Sequence, residues 1–439
     1  MTINIHWPAY HQALKQVNTF VRSGQVTQVI GLTIEARGLQ AQIGELCHIR
    51  SHKASTQIPA EVMGFKDTRT LLMPLGEMSG IGPGSSVQAS GSLFSVPVGD
   101  ALLGRVLDGL GNPIDGKGPI NSNAAYPAAG AAPPPLGRMK INQPLETGVR
   151  AIDAFLSVGK GQRMGIFAGS GVGKSTTLGM IARHARADIS VIALIGERGR
   201  EVQEFIERDL GEDGLARSVV VVSTSDQPAL VRLKGAWVAT AIAEYFRDQG
   251  QDVTFLMDSV TRFAMAQREI GLAIGEPPAM KGYTPSVFAL LPKLLERTGT
   301  GKRGTITGFY TVLVESDDLT EPITDAVRSI LDGHIVLSRK LAGQNHYPAI
   351  DVLESVSRVM PAITDEQHRG AAGKLRDLMA AFEKASDLIN IGAYVQGTNP
   401  VIDKAMTVMP NILQFLRQNA NAPTSYEDTL AQLHAIANS

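Results

Sequence analysis

The sequence is poor in the residues on which several classes of protein depend. It has one cysteine, Cys47, in 439 residues, which excludes an intrachain disulfide and any metal site built from several cysteines and favours a reducing compartment. The formal net charge is −1, so no global positive field points to nucleic acid as the main partner. The first residues lack the long apolar stretch of a signal peptide, and no apolar run reaches membrane-spanning length. We therefore expect a cytoplasmic protein whose role at a membrane, if any, is peripheral.

The N-terminal part of the chain predicts a small β-barrel. Residues 1–24 fit a short amphipathic helix and a frayed terminus equally well. Between residues 25 and 95, short runs bounded by turn residues predict strands at 26–34, 43–49, 61–65, 70–73 and 86–92. Such a barrel can bind oligonucleotides, but this part of the sequence has no stripe of aromatic and basic residues. A scaffold or assembly role is therefore favoured.

The rest of the chain predicts an α/β core followed by helices. Residues 96–144, rich in proline and glycine, indicate an irregular interdomain connection. Strand-like runs at 164–167, 189–195, 218–223, 253–257, 305–314 and 334–337 alternate with helical patterns, which predicts a mostly parallel sheet with helices on both faces. After residue 361 the pattern is helical, with capping-box spacing from Thr364 and a last helix starting near Ser425. We predict a barrel domain at 1–95, a P-loop core at 96–360 and a helical domain at 361–439.

The segment AGSGVGKS, residues 168–175, follows a predicted strand and opens a predicted helix, as a phosphate-binding P-loop does. Its glycines allow a tight turn whose N–H groups point inward and, with the helix N-terminus, cradle an anion. Lys174 can reach the β- and γ-phosphates, and the Ser175 hydroxyl can take one position around Mg²⁺. Ala168 replaces the usual first glycine, where a small residue fits. The candidate ATP-binding residues here are Gly169, Ser170, Gly171, Val172, Gly173, Lys174, Ser175 and Thr176.

Two carboxylates follow predicted buried strands. Asp258 ends the run VTFLMD and is a candidate Mg²⁺ ligand, although it can instead cap the next helix. Glu197, in GERGRE, can polarise the attacking water, although it can also belong to a surface charge cluster at a helix start. Arg198 and Arg200 beside it can contact phosphate or fix that carboxylate. ATP hydrolysis requires these roles to be filled together.

The motifs AGSGVGKS, GERGREV and FLMDSVTRFA resemble the catalytic subunits of the rotary ATPases, the F1 β class. The resemblance implies that Glu197 is the water-orienting base and that the chain hydrolyses ATP, since non-catalytic F1 subunits lack this glutamate. The stretch HYPAIDVLESVSRVM, residues 346–360, matches as well. Tyr347 falls where the family stacks adenine, and Arg358 where it places an arginine finger that acts on the neighbouring subunit's nucleotide. A local alternative for Arg358 is an ion pair with Glu354, four residues earlier on a helical turn.

Within that superfamily, nearly the whole chain is similar to the type III protein-export ATPases, notably GEPPAMKGYTPSVFALLPKLLERTG at 275–299 and residues 311–342. Residues 387–405, DLINIGAYVQGTNPVIDKA, resemble the flagellar branch, while the virulence injectisome branch shares most other motifs. The resemblance implies a RecA/F1-like P-loop core, a homohexamer at the cytoplasmic face of the inner membrane, and hydrolysis that assists chaperone release and unfolding of export substrates. The implied partners are a peripheral stalk-like regulator, a central coiled-coil stalk protein, the membrane export gate and chaperone–substrate complexes, with no nucleic acid.

Two departures from F1 β refine these expectations. The acidic helix–turn–helix loop has no counterpart at 394–403, which argues against an ATP-synthase β subunit. Ala420 stands where F1 has a second aromatic facing adenine, so we expect a more open base pocket. Two other classes compete: a ring helicase or RNA-dependent translocase, disfavoured by the near-neutral charge, and a nucleotide-binding structural subunit without turnover, disfavoured by Glu197.

Overall fold

The structure is a computed structural model that describes Trp7 and residues 22–50, 57–314, 318 and 320–439. The helix predicted within residues 1–24 lies outside this range, apart from Trp7 and residues 22–24. The chain forms two compact units, one holding the described residues up to Phe94 with Ala273–Gly275, the other Ser95–Leu272 with Glu276–Ser439. The residue boundaries of the three predicted domains stay predictions.

The first unit confirms the predicted β-barrel. Its six strands close in the order β1-β2-β5-β4-β3-β6. They are β1 (Ser23–Ile30), β2 (Thr33–Arg37), β3 (Glu45–Arg50), β4 (Gln57–Lys66), β5 (Arg69–Pro74) and β6 (Ser86–Leu93). The prediction of one strand at 26–34 was wrong: Gly31 has a φ of 55°, and Ile30 pairs with Thr33 across a two-residue turn. Cys47 is buried in the barrel core, where burial raises the pKa of its thiol to about 12.

The second unit is built on a large sheet. From Ser95 onward the strands are β7 (Ser95–Val98), β8 (Arg105–Asp108), β9 (Ala124–Pro127), β10 (Pro144–Leu145), β11 (Val158–Gly159), β12 (Arg163–Ala168), β13 (Ile189–Ile195), β14 (Ser218–Ser223), β15 (Asp252–Asp258), β16 (Gly299–Thr300), β17 (Thr305–Leu313), β18 (Gly333–Leu337) and β19 (Ile350–Ser357). The order in the sheet is β19-β18-β12-β17-β15-β13-β14-β8, with β16 paired to β17. Only β16 and β19 run antiparallel to their neighbours.

The helices of this unit, in chain order, are α1 (Arg150–Phe155), α2 (Lys174–His184), α3 (Gly199–Glu204), α4 (Gly211–Ala216), α5 (Ala229–Asp248), α6 (Val260–Ala273), α7 (Pro285–Leu295), α8 (Pro322–Ile330), α9 (Arg339–Gly343), α10 (Met360–Ile363), α11 (Glu366–Asn390), α12 (Pro400–Leu416) and α13 (Tyr426–Asn438). A π-helical segment, Phe205–Leu210, joins α3 to α4. No helix in the described part of the chain is both long and apolar enough to cross a bilayer.

The mostly parallel sheet and the C-terminal helices confirm the predicted fold class, with two local corrections. Residues 105–108, which were predicted to lie in an irregular connection, instead form β8, an edge strand that pairs with β14. The N-cap of α11 is Asp365, whose carboxylate accepts a hydrogen bond from His368 N, whereas the Thr364 hydroxyl donates to the Met360 carbonyl. The C-terminal helices pack into the same hydrophobic core as the sheet, a core that includes Ile166, Leu178, Leu375, Ile412 and Leu433.

The parallel strands give the sheet two chemically different edges. At the carboxyl edge, where these strands end, loops and helix N-termini follow the last strand residues, which is where ligands bind in such sheets. The amino edge is the opposite one. Because β19 runs antiparallel to β18, it begins at the carboxyl edge, with Ile350 opposite Leu337, and ends at the amino edge, with Ser357 opposite Gly333.

Candidate active site

The P-loop forms the turn between β12 and α2. Gly171 and Gly173 have φ values of 78° and 92°, which residues with a Cβ rarely adopt. Lys174 is the first residue of α2, whose N-terminus has no side-chain cap, so its first N–H groups face the cavity described below. Ala168 is the last, buried residue of β12 and lies outside the turn. Glycine is therefore not needed at the one position where the motif departs from the usual pattern.

The fold brings three predicted residues together at the carboxyl edge. Lys174 Nζ lies 2.6 Å from Asp258 Oδ1 and 3.4 Å from Glu197 Oε1. Asp258 ends β15 and Glu197 follows β13, and these strands are neighbours. The Thr311 hydroxyl donates to Asp258 Oδ1 over 2.7 Å and orients this carboxylate. Three sequence-distant segments thus converge because their strands share one sheet.

The alternative role of Asp258 as a helix cap is wrong. The N–H of Arg262, in the first turn of α6, donates to Ser259 Oγ over 3.3 Å. Asp258 instead uses Oδ1 for Lys174 and Thr311, and its Oδ2 accepts no hydrogen bond from any described residue. One carboxylate oxygen therefore stays available for a ligand.

The surroundings of Glu197 change the pKa of its carboxyl group. Burial, the largest effect, and the charge of Asp258 raise the pKa of Glu197 to about 7, although Lys174 lowers it. Burial also lowers the pKa of Lys174, but the charges of Asp258 and Glu197 outweigh it, so this pKa is raised and the amine stays protonated. A carboxyl group with a pKa near neutrality is matched to accepting a proton at physiological pH.

Arg198 and Arg200 do not fix the Glu197 carboxylate. Arg198 Nη1 lies 3.5 Å from Glu201 Oε1, and Arg200 Nη1 lies 3.2 Å from Glu204 Oε1. Both arginines are largely exposed, so these pairs are weak. Arg198 lines the cavity next to the P-loop and is available to an anion there.

A cavity of about 920 Å³ opens over the P-loop. Seven basic and four acidic side chains line it, which suits a polyanionic ligand. Arg262 borders this cavity, and its buried Nε donates to no acceptor within the described residues, so the wall offers an unused donor. The basic residues that the sequence analysis did not assign are Arg208, Arg262, Arg268, Lys281 and Arg339. Arg262 and Lys281 lie within motifs that resemble the family, FLMDSVTRFA and the 275–299 stretch, and that position was the signal that could have found them.

Tyr347 and Arg358 lie at opposite edges of the sheet. The Tyr347 ring is 42% exposed and lies against the P-loop, since a Cβ on Gly173 would be 3.5 Å from ring atom Cδ1. Ten residues separate it from Arg358, and the eight of them that form β19 span roughly 24 Å. Arg358 N donates to the Asp332 carbonyl and its Nη1 to the Leu331 carbonyl, both at the amino edge. The tyrosine therefore lies beside the P-loop of its own chain, and the arginine lies far from it.

The local alternative for Arg358 is also wrong. Glu354 belongs to β19, so no helical turn brings the two side chains together, and Arg358 forms no ion pair within the described residues. Ala420 lies near the end of α2, where Arg183 Nη2 donates to its carbonyl over 2.9 Å. Because residue 420 is an alanine, this position supplies no aromatic ring opposite Tyr347.

The oxygens available for a divalent cation fit Mg²⁺. In the described chain no three His, Cys, Asp or Glu residues form a metal cluster. Mg²⁺ needs no such cage, because it is held by one or two protein oxygens together with phosphates and water. Ser175 and Asp258 line the same small recess with Glu197 and Glu201, and Asp258 Oδ2 is available there. These two residues are suited to hold the ion beside bound phosphates.

Comparison with protein-family models accounts for most of the chain. The model of the ATP synthase alpha/beta family, nucleotide-binding domain, matches residues 148–357, and the beta-barrel domain of the same family matches residues 26–91. The model of the T3SS EscN ATPase C-terminal domain matches residues 364–435.

Similar proteins cover nearly the full length. The flagellum-specific ATP synthase of Bacillus subtilis is 55% identical over 424 residues, covering 96% of this chain and 97% of that protein. The type 3 secretion system ATPase of Xanthomonas euvesicatoria is 52% identical over 415 residues, covering 94% of each. The structure of the assembled ATPase EscN in complex with its central stalk EscO, from enteropathogenic E. coli, matches with a TM-score of 0.88 and 47% identity, covering 94% of this chain and 100% of that one.

Proposed function

The chain belongs to the ATP synthase alpha/beta family, and we propose that it hydrolyses MgATP to energise the export of flagellar proteins by a type III pathway. Membership in this family makes it a nucleotide-binding ATPase. The residue roles, the metal ion, the assembly and the export substrates are the proposed part.

The observation that carries the catalytic proposal is the convergence of Lys174, Glu197 and Asp258: Lys174 and Glu197 line the cavity over the P-loop, and Asp258 contacts Lys174 from the small recess beside it. Lys174 and the N–H groups of the loop bind the β- and γ-phosphates. Glu197 accepts a hydrogen bond from the attacking water and orients it, and its pKa of about 7 allows it to take the proton. Arg198 leaves its weak pair with Glu201 to contact the phosphates. No covalent intermediate is needed, because positioning and charge stabilisation lower the barrier.

Ser175 and Asp258 would hold Mg²⁺, which when bound neutralises charge on the phosphate oxygens. The Thr311 hydroxyl would keep Asp258 in place for this role, since it donates to Oδ1 and leaves Oδ2 without a hydrogen bond from any described residue. Tyr347 stacks on the adenine base, and Ala420 leaves the opposite side of the base open.

Arg358 acts on the nucleotide of a neighbouring subunit. The support for this proposal is geometric: β12 spans six residues, so its amino edge lies roughly 17 Å from the P-loop, beyond the reach of an arginine side chain. A residue at the amino edge can therefore act at an ATP site only across a subunit boundary. The assembled EscN structure supports a ring, and we propose a homohexamer.

The export role rests on the named relatives. Flagellar and injectisome ATPases are about equally similar to this chain, at 55% and 52% identity, and the 387–405 segment favours the flagellar branch. The EscN–EscO complex supports a central coiled-coil stalk as a partner. The further proposed partners are a stalk-like regulator, the export gate and chaperone–substrate complexes, at the cytoplasmic face of the inner membrane.

The test of the catalytic proposal is Glu197→Gln. The amide keeps the size of the side chain and cannot take a proton, so this variant should bind MgATP with unchanged affinity and lose turnover by a factor of about 10²–10⁴. The matched control is Glu204→Gln on α3, whose carboxylate pairs with exposed Arg200 and should not affect turnover. An equal loss of nucleotide affinity in Glu197→Gln would make Glu197 a binding or structural residue.

The export proposal has its own test. Expression of this chain in a flagellated bacterium that lacks its flagellar export ATPase should restore motility, and Glu197→Gln should not. The chain is also expressed in a second bacterium that lacks its injectisome ATPase. Rescue of virulence secretion there, without rescue of motility in the first strain, would assign the chain to the injectisome branch. Hydrolysis that requires added RNA would instead favour a translocase.

A further inference from the structure

Gln418 is a buried glutamine whose side-chain amide oxygen and both side-chain N–H groups form hydrogen bonds. It is 7% exposed and lies just after α12. Its side-chain Oε1 accepts from Arg150 N over 2.9 Å, and its Nε2 donates to the carbonyls of Gly148 over 2.7 Å and Ala422 over 2.9 Å. Its backbone N–H donates to the Tyr347 carbonyl over 2.9 Å. A glutamine side chain whose amide oxygen and both amide N–H groups are paired has one orientation, so the Gln418 side chain is rigidly placed.

These hydrogen bonds hold the loop that carries Tyr347. Within the described residues, the bond from Gln418 is the only hydrogen bond that Tyr347 makes. Its ring is partly exposed against Gly173 of the P-loop, so packing alone restrains it weakly. The position of the ring therefore depends on where Gln418 holds the Tyr347 backbone.

The segment that contains Gln418 is itself fixed at both ends. Before it, Arg150 Nε donates to the Phe415 carbonyl over 2.7 Å, and Arg150 Nη2 donates to the Arg417 carbonyl, which ties down the end of α12. After it, the Ala420 carbonyl accepts from Arg183 Nη2 over 2.9 Å, at the last turn of α2. The first residue of α2 is Lys174 of the P-loop. One short segment thus links the Tyr347 backbone to the helix that begins at the P-loop lysine.

We propose that Gln418 is a positioning residue that sets the distance of Tyr347 from the P-loop and thereby the affinity for the base of a purine nucleoside triphosphate. The proposal rests on the stacking role proposed for Tyr347. Gln418 does not line the cavity over the P-loop, and within the described residues its side chain hydrogen-bonds only Arg150, Gly148 and Ala422, so we expect no direct action on the phosphates. Its effect is therefore specific to ligands that carry a base.

The chain offers a matched control in Gln162. It is fully buried, accepts from Gly159 N over 2.8 Å and donates to Ser357 Oγ over 3.0 Å, but it lies at the amino edge of the sheet. A purely structural role for a buried glutamine should give the same result at both positions. Replacement by methionine keeps the volume of each side chain and removes its hydrogen bonds.

The experiment compares four variants, Gln418→Met, Tyr347→Ala, the double variant and Gln162→Met, by titration with MgATP and with magnesium tripolyphosphate, which has no base. We expect Gln418→Met to weaken MgATP binding by about 3- to 10-fold, because the Tyr347 ring is no longer held at one distance from the P-loop and part of its stacking energy is lost, and to leave tripolyphosphate binding unchanged. Tyr347→Ala should weaken MgATP binding by about 5- to 150-fold. The double variant should be no weaker than Tyr347→Ala, because the two residues act through one contact. Gln162→Met should lower only the unfolding temperature.

Three results would overturn the proposal: equal weakening of both ligands by Gln418→Met, additive losses in the double variant, or no change in MgATP binding by Gln418→Met while Tyr347→Ala weakens it. If Tyr347→Ala itself leaves MgATP affinity unchanged, the base-stacking proposal is wrong and this inference falls with it. If Gln418→Met does not fold, hydrogen exchange in the unaltered protein decides. MgATP, and not tripolyphosphate, should slow exchange of the Gln418 amide, and equal protection by both ligands would contradict the proposal.

Discussion

The two edges of the central sheet each hold one cation between two carboxylates, yet only one of them is built for chemistry. At the amino edge Arg163 pairs with Asp332 through two parallel hydrogen bonds, Nε to Oδ2 at 3.0 Å and Nη2 to Oδ1 at 3.1 Å, and with Glu296 at 2.5 Å. Burial lowers the pKa of Arg163, but the interactions with the two carboxylates outweigh it, so the pKa is raised. The guanidinium forms a bidentate pair with Asp332, while its Nη1 lies against Glu296 as a charge contact without a hydrogen bond to any described residue, so the charges are balanced without a ligand.

At the carboxyl edge the cation is a lysine, and the result is different. Lys174 is a point charge that contacts one oxygen of Asp258 and lies at 3.4 Å from Glu197, so one ammonium group is shared between two carboxylates, and Asp258 Oδ2 accepts no hydrogen bond from any described residue. The pKa of Glu197 is raised to about 7 in consequence of its burial and its neighbour Asp258. Similar charges therefore play a structural part at the amino edge, where a guanidinium is paired with carboxylates. At the carboxyl edge, where one lysine is shared by two buried carboxylates, they are suited to proton transfer.

Arg358 lies at the amino edge, and the catalytic role proposed for it is an exception to this contrast. Arg358→Ala should bind MgATP normally and hydrolyse it on the order of 10³-fold or more slowly, as expected for loss of an arginine finger. The measurement is single-turnover hydrolysis across a range of protein concentrations, in which the wild type should gain activity as the ring assembles.

Mixing Arg358→Ala with Lys174→Ala tests the geometry. A mixed ring can place an intact P-loop beside an intact arginine, so some activity should return once the subunits exchange, provided that the ring does not need every site working. Full activity in a proven monomer would show that Arg358 acts within its own chain or not at all. Subunit exchange is followed independently, for example by energy transfer between labelled subunits.

The pH dependence of kcat/KM should show whether Glu197, at the carboxyl edge, is the proton acceptor. Glu197 must be ionised to accept a proton, and its pKa is raised to about 7, so kcat/KM should be constant above this pH and fall as the pH drops below it. The fall should approach about tenfold per pH unit, since one proton is involved. The control is Glu197→Gln, whose residual rate should not show this transition. A profile that stays flat down to pH 5 would remove Glu197 as the base.

The smallest expected effect comes from the paired cluster at the amino edge. Asp332→Asn removes the charge that holds buried Arg163 and should cost about 1.5–3 kcal/mol of unfolding free energy, with MgATP affinity of the folded protein unchanged. The matched control is Asp325→Asn, which breaks an exposed pair with Arg328 at 3.5 Å and should stay within about 0.5 kcal/mol. Urea unfolding measures both. A loss of nucleotide affinity in Asp332→Asn would mean that the two edges are coupled.

Much of the architecture was predictable because its signals are local. The P-loop is a contiguous segment in which the spacing of the glycines and the lysine predicts the turn. Asp258 and Glu197 stand at or just after the ends of apolar runs in the sequence. The six core strands were predicted from apolar runs that are buried on both sides of a parallel sheet. The strands β8 and β19 were missed because edge strands have shorter or more polar patterns, with only one neighbour to pair with.

A phosphate-binding site could be predicted from the sequence alone, because the sequence shows which residue types lie next to which predicted strand or turn. Only the tertiary structure decided which of them meet: that Thr311 holds Asp258, that Arg198 pairs with Glu201 rather than Glu197, and that Gln418 holds Tyr347. The physical reason is that these contacts join segments whose spacing is set by strand order and helix packing. Tyr347 and Arg358 belong to one motif, yet the direction of a single edge strand sends them to opposite ends of the sheet.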